Sequence, residues 1–226
     1  MRILLVSATY MEIAPVMARL KFVGERGPRM KAYTYNAHEI DVLITGVGMV
    51  ATAFWCSQVM ATNKYDLALN LGVCGSYDRS LEPGQLVHVV SDRIAELGAE
   101  DGEKFLTVQE LSLLSENEPP FKWGQLVNLA PLSNPVLNAL PAVHAISVNK
   151  VHGAEQSIAD TVKLFNPHVE SMEGAAFMYA CLLNDLVFAQ VRAVSNIVER
   201  RNREAWKMAL AIKNLNEMAA EMLNAI

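Results

Sequence analysis

The side chains of this chain best placed to do chemistry are acids and an amide that stand directly after apolar runs. Glu12 follows Ile3–Val6 across the link Ser7-Ala8-Thr9-Tyr10-Met11. Glu173 lies in Val169-Glu170-Ser171-Met172-Glu173-Gly174-Ala175-Ala176, and the run Val191-Arg192-Ala193-Val194 ends in Ser195-Asn196. In an open α/β sheet, ligands bind beyond the carboxyl ends of the strands, so these are positions where a side chain can meet a ligand. Gly46-Val47-Gly48 and Gly72-Val73-Cys74-Gly75 stand at equivalent points. There the missing side chains either let backbone amides approach a ligand or serve a tight strand-to-helix turn. Glu12 has a plainer alternative too, since an acid in the first turn of a helix complements its dipole. Other chemistries find no support in the spacing. The GxG at 46–48 lacks the third glycine of a dinucleotide fingerprint, and no GxxxxGK[ST] occurs. Cys56, Cys74 and Cys181 are far apart in apolar surroundings, with neither CxxC pairs nor histidines at metal spacing. Reduced core thiols, no metal and no cofactor are expected.

These groups need a scaffold, and the pattern supplies one of alternating buried strands and helices. Strands are expected at Ile3–Val6, at Val42–Ile44, from Leu67 into a glycine turn at 72–75, and at Leu86–Val90, Ala145–Val148 and Val187–Val194. Helices are expected over Glu12–Leu20, Met49–Thr62, Gly174–Asn184 and, closing the chain, Glu204–Ala225. Buried strands alternating with helices predict an α/β fold, a single domain over 1–226 with three α/β/α layers and a mixed, mostly parallel sheet. Residues 93–135 mix Gly, Pro, acids and isolated hydrophobics without period. They are expected to form an excursion around a site and not a second domain.

Composition narrows the partners. The 226 residues are 52% hydrophobic and 19% charged, greasier than an average soluble chain. The segment Val50–Ala61 is apolar nearly all round, so a homo-oligomer, most simply a homodimer, is expected. Formal charge is −5 and the basic residues are scattered, the densest group being Arg200, Arg201 and Arg203, which argues against nucleic acid. The apolar run after Arg2 is only four residues long and no stretch approaches the roughly 20 apolar residues of a membrane span. No membrane partner and a cytoplasmic location are expected.

Taken together, M-E-G-A-A at 172–176, V-R-A-V-S-N at 191–196, Glu12 and the glycines at 46–48 and 72–75 resemble the nucleoside phosphorylase and nucleosidase superfamily. Within it, E-x-M-E-G-A-A at Glu170–Ala176 and S-N-x-V-x-x-R-x-x-x-x-W at Ser195–Trp206 are similar to the futalosine hydrolase family, the N-ribosidases of a menaquinone pathway. The resemblance spans residues 1–206. It implies hydrolysis of the N-ribosidic bond of a nucleoside, with hypoxanthine as the leaving base. By resemblance Glu173 bridges the 2′- and 3′-hydroxyls and tolerates a ribosyl cation, and Glu12 orients and deprotonates water. Met172 lays its thioether against the sugar, or else fills core. Gly75, Cys74 and Ser195 line the substrate. Asn196 stands where adenosine-cleaving members carry an aspartate; its NH₂ can donate to N7 or O6 of a 6-oxopurine, or it merely caps a turn. His152, in Asn149–Gly153, follows a strand where the superfamily lines its base pocket. Arg200, Arg201 and Arg203 form a solvated turn or lend one contact to a carboxylate of the substrate. Phosphorylases of the superfamily commonly carry an arginine before the glycines at 72–75. This chain has Asn70-Leu71 there, and the 7–11 link has no Arg or Lys, so water is the expected nucleophile. A 5′-methylthioadenosine/S-adenosylhomocysteine nucleosidase, a purine nucleoside phosphorylase and a catalytically silent nucleoside-binding protein are the alternatives.

Overall fold

The computed structural model describes residues 1–226. Its parallel centre has the strand order β12 (Phe188–Ile197), β5 (Leu67–Ser76), β1 (Arg2–Ser7), β4 (His38–Ile44). The inner strands are apolar along their length because both faces are covered. Along β1, Ile3 and Leu5 point into one core and Leu4 and Val6 into the other, the two-residue period of a strand. The two cores are nearly equal, with 23 and 24 buried residues, which places the sheet in the middle layer. α1 (Tyr10–Met17) and α6 (Met208–Asn224) pack together on one face, and α2 (Met49–Thr62) and α5 (Gly174–Leu183) on the other.

Beyond β12 the direction reverses. β6 (Leu86–Ile94) is antiparallel to β12, while β10 (Ala142–Ser147) and β11 (Val169–Ser171) continue parallel to β6. β11 then pairs back onto β5, Val169 to Ser76 and Glu170 to Gly75, closing β5, β12, β6, β10 and β11 into a small barrel. The expected mixed, mostly parallel sheet between helices is therefore present, with a closure that local patterning does not announce.

Several local expectations are corrected. A hairpin of β2 (Lys21–Gly27) and β3 (Met30–Tyr35) extends the sheet beyond β4; β2 has no buried residue and so leaves no apolar signature. Residues 72–75 are not a turn, since β5 runs straight through both glycines to Ser76. The closing helix starts at Met208, after a 3-10 turn at Arg203–Ala205, and not at Glu204. Residues 93–135 hold the hairpin β7 (Gly98–Asp101) and β8 (Lys104–Thr107), and β9 (Leu126–Val127) paired to β6. None of them lines the cleft described below. Two short elements complete the chain, α3 (Pro135–Asn138) and α4 (Glu155–Phe165). The three cysteines are unpaired and buried, and no helix is long and apolar enough to cross a membrane. On α2 the inner stripe is Thr52, Cys56, Val59 and Met60, while Val50 and Phe54 stand exposed.

Candidate active site

Three charged side chains, each at least nine-tenths buried, meet where β5 and β12 pair: Glu12 (8% exposed), Glu173 (7%) and Arg192 (1%). Glu12 is the third residue of α1 and reaches back to the start of its own helix. Its Oε2 accepts from the Thr9 N–H (2.9 Å), the Thr9 hydroxyl (2.8 Å) and Ser7 Oγ (3.2 Å). Its Oε1 accepts from the Val73 N–H of β5 at 3.1 Å. The carboxylate thus serves its own helix start through Oε2 and reaches β5 through Oε1. α6 holds α1 in place: Asn216 enters the helical ladder, accepting from Val16 N (2.8 Å) and donating to Glu12 O (2.8 Å), where Pro15 has already removed a donor.

Glu173 caps α5, and its Oε1 accepts from the Gly48 N–H at 2.9 Å. Gly48 holds φ 98° at the start of α2, a left-handed conformation that suits glycine and turns its N–H toward the carboxylate. Burial pushes the Glu173 carboxyl above its ordinary range, against the opposing pull of Arg192 and the Gly48 N–H, and Glu12 adds to the rise. Arg192 lies opposite Gly72 in the β5–β12 register. A methyl group on Gly72 would overlap Arg192 Nη1 and stand 3.0 Å from Glu12 Oε1. The guanidinium and the Glu12 carboxylate therefore border one small space without forming a direct ion pair.

Three residues further along β5, a distance of about 10 Å, the same strand pair opens into a cleft of about 170 Å³. Gly75, His152, Glu170, Asn196, Arg201 and Trp206 are among its walls. A bulge at Ser195 shifts the register so that Asn196 comes opposite Gly75, a device common beside ligand sites. A Cβ on Gly75 would lie 3.5 Å from Asn196 Nδ2, 3.6 Å from Glu170 Cγ and only 2.9 Å from Val198 Cγ2, so the glycine keeps the space between amide and acid open. Asn196 Oδ1 accepts from Ser195 Oγ (2.7 Å) and Nδ2 donates to Ile197 O (2.9 Å), which orients the amide and leaves one N–H over. Glu170 Oε2 accepts from Tyr77 OH (2.6 Å) and sits 2.8 Å from His152 Nδ1, and Oε1 accepts from the His152 N–H (3.2 Å). Burial and the neighbouring Glu170 push the Tyr77 hydroxyl far up, so it stays a donor. The Arg201 guanidinium lies 5.4 Å from the centre of the Trp206 ring, at the rim.

The family model described as Phosphorylase superfamily matches residues 2–226. The chain belongs to the phosphorylase superfamily. Among curated members, a futalosine hydrolase of Thermus thermophilus is 27% identical, covering 97% of this chain and 94% of its own. A 5′-methylthioadenosine/S-adenosylhomocysteine nucleosidase of Haemophilus ducreyi is 25% identical, covering 82% and 80%. The solved nucleosidase of the same description from Neisseria meningitidis, in complex with methylthio-immucillin-A, superposes with a TM-score of 0.80 over 100% of this chain and 99% of its own, at 17% identity.

In this superfamily member, the residues singled out from sequence fall into two groups. Glu12 borders the space beside Gly72, Glu173 lies close enough to feel the charges of both Arg192 and Glu12, and Met172 is half-buried next to it in the chain. Gly75 and Asn196 border the cleft, and Ser195 orients Asn196. Cys74 reaches the site only through its carbonyl, which lies 3.0 Å from Ser195 Oγ and competes with the nearer Asn196 Oδ1 for that hydroxyl's one proton; its thiol is in the core, where burial pushes it up to about 12. His152 and Arg201 both line the cleft, whereas Arg200 and Arg203 do not. Three groups were missed. Arg192 carried a usable signal, an arginine inside the apolar run V-R-A-V, because a buried charge requires partners. Glu170 had the same kind of signal in a buried strand, and Tyr77 had none.

Proposed function

We propose that this N-glycosidase hydrolyses the N-ribosidic bond of futalosine and releases hypoxanthine, the step of the futalosine route to menaquinone. The observation that carries the reading is the pairing of Asn196 with Glu170 across Gly75, about 10 Å along the strands from Glu12, Arg192 and Glu173. A 6-oxopurine offers N7 and O6 as acceptors and N1–H as a donor. The free Asn196 N–H serves the first edge and Glu170, with lone pairs to spare, serves the second. Adenine, with an acceptor at N1 and a donor at N6, meets the wrong partner at Glu170.

At the other end the ribose sits against Glu173, whose carboxylate takes the Gly48 N–H on Oε1 and keeps lone pairs to hold the sugar hydroxyls. As the bond from C1′ to the base breaks, its electron pair leaves with the base as the hypoxanthine anion, which the Asn196 N–H holds until a solvent proton neutralises it, and positive charge grows on the sugar, where the Glu173 carboxylate stabilises it. Water held between Glu12 Oε1 and Arg192 adds to C1′, and Glu12 takes its proton. Two carboxylates flank Arg192 and repel a phosphate dianion, which favours water over phosphorolysis. The Thermus thermophilus relative, a futalosine hydrolase 27% identical to this chain, supports the same choice of substrate.

The test is to incubate the protein, without phosphate, with futalosine, inosine, 6-amino-6-deoxyfutalosine and methylthioadenosine, and to measure the released base. Futalosine and free hypoxanthine are expected, at a rate that added phosphate does not raise. Preference for methylthioadenosine would overturn the reading. In Asn196→Asp the ratio of kcat/KM for futalosine over its 6-amino analogue should fall by at least roughly tenfold, because an ionised carboxylate faces the O6 lone pairs. An unchanged ratio would make Asn196 a turn residue.

A further inference from the structure

Behind Arg192 the barrel interior holds a polar chain that none of the steps above uses. Arg192 Nη2 donates to Gln190 Oε1 at 3.0 Å, Gln190 Nε2 donates to Asp92 Oδ2 at 3.2 Å, and Ser147 Oγ donates to Asp92 Oδ1 at 3.1 Å. Ser147 Oγ in turn accepts from the Ala175 N–H of α5 at 2.7 Å. Gln190, Asp92 and Ser147 are all 0% exposed. Space for this chain has been made in the helix that carries Glu173: a Cβ on Gly174 would overlap Asp92 Oδ2 and lie 2.5 Å from Gln190 Oε1. An apolar residue at 190 would fill the same volume without these donors and acceptors, so the amide asks for an explanation.

We infer that Gln190 is a positioning residue that locks the guanidinium of Arg192 at the reacting end of the site. The amide has one orientation available. Its carbonyl faces a guanidinium, which can only donate, so a flip would set donor against donor at Arg192. The guanidinium thus selects the amide's orientation, and the amide, anchored on Asp92, holds the guanidinium in place. That tether matters because Arg192 Nε is buried without a partner and Nη1 points into the space bordered by Glu12, so Gln190 is the only hydrogen-bonding protein contact that holds the group. By the same route Ser147 and Ala175 tie the guanidinium to the first turn of α5, so that Arg192 and Glu173 are set relative to each other. The inference rests on the reading of the site given under the proposed function, in which Arg192 helps to hold the attacking water, and adds the residue that aims it.

Two substitutions separate aiming from filling. Gln190→Met keeps the volume and removes both bonds; Gln190→Glu keeps the acceptor toward Arg192. If Gln190 aims Arg192, Gln190→Met lowers kcat for futalosine at least tenfold with KM within threefold, while Gln190→Glu retains more of the activity. If it only fills space, the order reverses, since methionine suits an apolar interior better than a second acid beside Asp92. The crystal structure of Gln190→Met without substrate gives the second readout: the Arg192 guanidinium should leave its position against Gly72. Undiminished kcat in Gln190→Met, or an unmoved Arg192, would overturn the inference. A parent protein inactive on futalosine would instead remove the functional reading, leaving the movement of Arg192 as the test of the tether.

Discussion

Gly72→Ala adds one methyl group and should disable the site while leaving the fold in place. Gly72 sits inside β5 with no left-handed φ, so alanine meets no backbone strain. Exchanging glycine for alanine at such a position stabilises by about 0.4–1 kcal/mol through the unfolded chain. Overpacking opposes it with about 1–3 kcal/mol, because the new methyl overlaps Arg192 Nη1 and presses on Glu12 Oε1 at 3.0 Å. The net cost is about 0–2.6 kcal/mol, a loss of at most about 10 °C in Tm for a domain of this size. Activity should suffer far more. The guanidinium must retreat by roughly 1 Å, and misplacement on that scale costs on the order of 10²-fold. Its tie to Gln190 prevents a harmless adjustment. The assay is kcat/KM on futalosine beside thermal unfolding, with Gly24→Ala as a control, since nothing lies within 4 Å of a Cβ there. A Gly72→Ala protein within threefold of the parent in kcat/KM would refute the view that Arg192 and Glu12 share a space that glycine keeps clear.

Glu12→Gln and Glu173→Gln should each fold and lose at least roughly 10²-fold in kcat, measured by hypoxanthine release, because each removes basicity or charge without changing volume. In the proposed mechanism Glu173 opposes the ribosyl cation in its ionised form, and burial raises its proton affinity. Activity is therefore full above its pKa and lost as pH falls through it, with a kcat/KM acid limb centred above the ordinary glutamate value of about 4.3; a limb centred below 4 would contradict this. The exposed pair Val50 and Phe54 on α2 should be covered by a second copy of the chain, giving by light scattering a mass of twice 24.9 kDa, which Phe54→Glu reduces to the monomer. A monomeric parent at micromolar concentration would reject the dimer.

The sequence by itself determined what depends on near neighbours along the chain. The breaker-free stretch Met49–Thr62 is a helix with those bounds, and Glu12 and Glu173 stand at helix starts after strands, as the local pattern requires. Periodicity reports burial element by element, and for the inner strands that was enough to fix the α/β layering. It failed for β2, whose residues are nowhere buried, and for Gly72 and Gly75, which look like turn residues until the strand opposite them is known. Only the tertiary structure decided that Gly72 faces Arg192 and Gly75 faces Asn196, residues some 120 positions apart brought into register by the β5–β12 pairing and the bulge at Ser195. The closure of β11 onto β5 set Glu170 beside the cleft, and the barrel interior gave Arg192 its tether to Gln190 and Asp92. Residue types named the available chemistry, but which carboxylate meets which cation depends on strand register between distant segments, and no local pattern encodes that.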